Sequence, residues 1–131
     1  MNREILYRGK QIVSGEWIYG VPISNDNITC IFKLTDGLSE LKGFQVKTET
    51  VGQYTGLTDK NGKKIFEGDI IKGKGKNVFV VEYNQNIAGF VTRGPGAFSC
   101  PCMNIGTMKS YEVIGNIYNN PELLGGIENK S

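Results

Sequence analysis

The chain has 131 residues, 39% of them hydrophobic and 21% charged, with a net charge of +2 and no histidine. That length holds one ordinary domain with a real core, and that composition excludes a disordered chain. The missing histidine excludes Ser-His-Asp and Cys-His catalysis, and so small a net charge is no argument for nucleic acid by itself.

Glycine supplies 18 residues, about twice the usual share of roughly 7%. They are scattered singly between short apolar runs, as tight turns require. "REILYR" (3–8) alternates as a short strand, and "GEWIYGVPI" (15–23) is a better one, rich in strand formers between glycines. "SND" (24–26) turns the chain into "NITCIFKL" (27–34), with Ile28, Cys30 and Phe32 on one side and Thr29, Ile31 and Lys33 on the other. "TDGLSELKGF" (35–44) is ambiguous: Thr35 or Asp36 could cap one helical turn ending at Gly43.

"GQYTGLTDKNGKKIFEGDIIKG" (52–73) is the densest patterned stretch. Asn61-Gly62 is a strong hairpin signal, and Gly68 between Glu67 and Asp69 supplies a second turn. Tyr54, Leu57, Ile65, Phe66, Ile70 and Ile71 are its expected core residues. "NVFVVEY" (77–83) is the best strand, with "AGFVT" (88–92) as its partner. "RGPGAFSCPCMNIGT" (93–107) has no periodicity and reads as a long surface loop. "SYEVIGNIY" (110–118) is a strand with Gly115 as a bulge, and "NNPELL" (119–124) makes a short helical turn with Pro121 at its first position. Strand signals every eight to twelve residues, with no long helix and no internal repeat, predict a mainly β fold of small-barrel or sandwich type.

The chemical signals are few. Glu67 and Asp69 would face one side if both lay on a strand, as a hydrolase or a hard-cation site requires; a polar turn before an apolar strand is the simpler reading. "CPC" (100–102) lacks zinc or thioredoxin spacing, so a metal site would need Cys30, Cys100 and Cys102 together; reduced, incidental cysteines are expected instead, and no cofactor. "KGKGK" (72–76) is not a phosphate loop, because Asn77 and a strand follow where Ser or Thr and a helix are needed. Between Lys42 and Lys76, however, eight lysines face four acids. Lys60, Lys63, Lys64, Lys72, Lys74 and Lys76 are the candidate nucleic-acid contacts, with Tyr7, Trp17, Tyr19, Phe66, Tyr83 and Phe90 available either for stacking or for the core. No apolar run nears the ~18 residues of a membrane span, and "MNREILYRGK" lacks a signal-peptide pattern, so a cytoplasmic protein without a membrane partner is expected.

"GEWIYG", "GQYTGLTDKNGKKIFEGDIIK" and "YEVIGNIYNNPELL" together resemble the YopX family of phage and prophage proteins, from Arg3 to Leu124. Two departures from the family pattern are local: "GKQ" (9–11) replaces a Trp-Asp pair, and Thr48-Glu49-Thr50 replaces Pro-Glu-Thr. The chain is read as one domain over 1–131, and the resemblance implies a small SH3-like barrel element in it; with the barrel at 47–124 and a tail at 125–131, the additional N-terminal strands (1–46) either pack as their own layer or complete the barrel. The resemblance also implies homo-oligomers, contacts with a phage or host protein and no known activity. A nucleic-acid-binding barrel is the alternative.

Overall fold

A computed structural model describes residues 4–35, 40–95 and 103–125. The fold is mostly β, with its strands paired antiparallel in two sheets. The chain forms two compact units, Met1–Tyr54 and Thr55–Ser131. Val46, the end of the N-terminal layer expected from the sequence, is buried inside the first unit.

In the first unit the strand order is β4-β3-β2-β1-β5: β1 (Tyr7–Lys10), β2 (Trp17–Asn25), β3 (Ile28–Thr35), β4 (Glu40–Val46) and the start of β5 (Gly52–Thr58). Segment 40–46 is therefore strand, not the end of a helical turn. Full registry with β3, from Thr29↔Val46 to Thr35↔Glu40, outweighs the weak local helix signals. β2 serves two partners: Trp17–Gly20 pairs β1 and Val21–Asn25 pairs β3. Gly20 marks the change, and a side chain there would drive its Cβ to 2.2 Å from the Phe32 carbonyl oxygen. Ile18, Ile31 and Val46 form the core of this unit. Gly9 faces it, with an imagined Cβ 2.9 Å from both Ile31 and Val46.

β5 runs on into the second unit, where β6 (Lys64–Phe66) is its neighbour. A four-stranded sheet follows, in the order β10-β7-β8-β9: β7 (Asp69–Lys72), β8 (Val78–Asn84), β9 (Gly89–Arg93) and β10 (Glu112–Asn116). Two apolar clusters explain why "FVV" and "II" break the strand alternation. Ile71, Val81 and Val113 pack with Ile65 and Met108, whereas Ile70 and Val80 pack with Leu124. Gly115 sits at a register shift in the β10–β7 pairing, as its sequence context predicts. The expected loop 93–107 ends in a one-turn helix, α1 (Ile105–Met108), where Asn104 Oδ1 caps the first turn by accepting from Thr107 N–H. Residues 96–102, with Cys100 and Cys102, lie outside the described residues. Pro121–Leu124 forms a short 3-10 turn.

The mainly β expectation holds, without a closed barrel among the described residues. β1 reaches β4 only through the single bridge Gln11↔Val46, because the β1 ladder ends at Lys10.

Candidate functional site

The densest motif is a set of hydrogen-bonded turns. Asp59 is buried, and its Oδ1 accepts the N–H groups of Asn61 (2.8 Å) and Lys63 (2.9 Å) across the Asn-Gly turn. Its Oδ2 accepts from Val113 N–H at 2.9 Å, so one carboxylate ties this hairpin to β10. Burial pushes the Asp59 carboxyl up, but the three backbone N–H bonds, with the Lys63 charge beside them, outweigh it and hold the group below the ordinary value. Asp69 Oδ2 accepts from Phe66 N–H at 2.7 Å around the turn that Gly68 closes at φ 94. Gly68 also donates to Val81 O (2.7 Å) and accepts from Ile117 N–H (2.9 Å).

This geometry removes the premise of a Glu67–Asp69 pair on one strand face. β6 ends at Phe66 and β7 begins at Asp69, so Glu67 lies in the turn between them. Asp69 is buried and bonded to the backbone, while Glu67 lines a small groove with Glu82, Arg93 and Tyr118. Glu82 is engaged by Arg93 Nε at 3.1 Å. Cys30 is a half-buried free thiol. No group of three His, Cys, Asp or Glu residues among the described residues could hold a metal ion.

All six candidate lysines lie in the second unit, and all are exposed. The structure brings two of them together. Lys60 Nζ stands 3.7 Å from Glu112 Oε1, and Lys72 is the direct cross-strand partner of Glu112. Lys60 N–H also donates to Tyr111 O at 2.9 Å. Lys74 and Lys76 occupy the β7–β8 connection, and the Tyr111 ring lies 3.0 Å from where a Gly73 Cβ would be. The aromatic beside the lysines is thus Tyr111, outside the sequence-predicted set. Of that set, Phe66 is core, Tyr83 and Phe90 pair edge-on, and Trp17 is covered by the Arg8 guanidinium at 4.7 Å.

The first unit carries a different surface, which the sequence reading did not single out. β2 and β3 pair Val21 with Phe32 and Ile23 with Cys30, and Leu41 continues the same face on β4. The opposite face already holds the core residues Ile18, Ile31 and Val46. The sheet is therefore apolar on both faces, whereas an antiparallel sheet with one solvated face normally alternates with polar residues there. Ile5, Leu6, Tyr19, Val21, Ile23, Phe32 and Leu41 line an open groove of about 480 Å³. Ile5, Tyr19, Val21, Ile23 and Leu41 are 44% to 63% exposed. The readable signal is a run of apolar residues at both parities in "WIYGVPI".

A family model described as "YopX protein" matches residues 7–125. Among solved structures, the chain is similar to the crystal structure of protein EF1440 from Enterococcus faecalis, at 27% identity and a TM-score of 0.62, over 94% of this chain and 99% of that one. A search of curated proteins finds no match.

Proposed function

The chain belongs to the YopX family, and from that premise we propose that it is a non-enzymatic accessory protein of a phage or prophage, working in the bacterial cytoplasm through protein–protein contacts. Its first partner is a second copy of itself, joined through the apolar outer face of the first unit.

The observation that carries this reading is the exposed face formed by Ile5, Tyr19, Val21, Ile23 and Leu41, with Ile28 (55% exposed) extending it. Large contiguous apolar patches are rare on the surface of a monomer and mark interaction sites. A symmetric contact uses the same patch on both copies and so doubles the apolar burial. No helix among the described residues is long and apolar enough to cross a membrane.

Sedimentation across a wide concentration range tests the reading. The expected result is a mass that is a multiple of 14.4 kDa. A monomer at every concentration would remove self-association from the proposal.

A further inference from the structure

We infer that the lysine-bearing end of the second unit is a binding face for the phosphodiester backbone of nucleic acid. This inference is independent of the oligomer reading and uses a different unit of the chain.

The two units divide the charge unequally. Among the described residues, the first unit has five bases and five acids. The second has eight bases against six acids, a difference of +2. Two of its acids, Asp59 and Asp69, are buried on backbone N–H groups, whereas all six candidate lysines are exposed. What the second unit offers to solvent is therefore more basic than its formal sum.

The fold gathers that charge. The hairpin turn after Asp59 and the β7–β8 connection both meet the segment Tyr111–Glu112, which is far from either in sequence. Lys60 and Lys72 flank Glu112, and Lys74 and Lys76 continue from Lys72. One half-exposed carboxylate cannot neutralise four exposed lysines. Gly75, between Lys74 and Lys76, has an ordinary φ and an imagined Cβ with nothing within 4 Å. Neither strain nor packing requires glycine there, and a bare backbone lets a phosphate approach closely. The connection, Gly73 to Asn77, contains no apolar side chain to enter a bilayer. The chemistry therefore fits nucleic acid better than a lipid surface.

The test is a fluorescence-anisotropy titration of the full chain with a labelled single strand and a labelled duplex, between about 50 and about 200 mM NaCl. Two variants of equal charge are compared: Lys72→Gln/Lys74→Gln in the second unit and Lys42→Gln/Lys47→Gln in the first. The expected result is wild-type binding that weakens steeply with salt. The second-unit variant binds about tenfold more weakly at low salt, with a log–log salt slope shallower by about 2. The first-unit variant binds as wild type does. No binding at low salt overturns the inference, as does equal weakening by both variants. Tighter binding to phosphatidylserine vesicles than to either oligonucleotide also overturns it. Circular dichroism of each variant separates lost binding from lost fold.

Discussion

Asp59 is the residue on which the densest motif turns. Three backbone N–H groups converge on its carboxylate, and one comes from 54 residues away. Asparagine in its place offers only one acceptor oxygen, so its NH2 group must face a backbone donor. Asp59→Asn is expected to lose about 2–3 kcal/mol, read as a lower denaturant midpoint at unchanged slope. The pH dependence has a definite sign. The folded carboxyl is held below its ordinary value of 3.8, so its stabilising contribution is present above that value. It is lost as pH falls through the lower, folded value. Asp59→Asn should flatten that acid limb of the stability curve, and an acid limb identical to wild type would contradict the account. Asp69 serves the Phe66 turn in a similar way, which is why "EGD" is turn chemistry and not a carboxylate pair.

At the scale of elements, the two long family motifs are one hydrogen-bonded unit. Asp59 binds Val113, Lys60 N–H binds Tyr111 O, and Ile117 N–H binds Gly68 O. The sequence makes each half legible through local rules: Asn-Gly, isolated glycines, and alternating or doubled apolar residues. It does not reveal their pairing, because a carboxylate accepting a distant N–H has no periodic signature. The helix α1 is invisible for a related reason: a single turn held by one Asn104 cap has no amphipathic repeat to read. β4 is missed because its strand state comes from registry with β3 and not from its own residues. The Gly20 junction is likewise a tertiary fact. Gly20→Ala would place a methyl 2.2 Å from the Phe32 carbonyl, so the strand must shift. The expected cost is about 2 kcal/mol or more by thermal or chemical unfolding. A variant as stable as wild type would show that β2 does not approach the Phe32 carbonyl as closely as described.

For the whole molecule, the two units carry different surfaces: an apolar sheet face on the first and a lysine-rich end on the second. The lysines were legible as composition, but their meeting at Glu112 needed the fold. The apolar face was legible only as an excess of strand-forming residues at both parities, which local reading assigns to the core. Sheet closure is hidden for the same reason: strand spacing makes the mainly β class legible, not whether a sheet closes on itself. Self-association through the apolar face is the central claim, and light scattering coupled to size exclusion tests it most directly. Wild type should elute as a defined multiple of 14.4 kDa, and Val21→Asp/Ile23→Asp, which charges two exposed positions, should elute as a folded monomer. If the doubly charged variant keeps the wild-type mass, the face that covers no core is not the face that joins the copies.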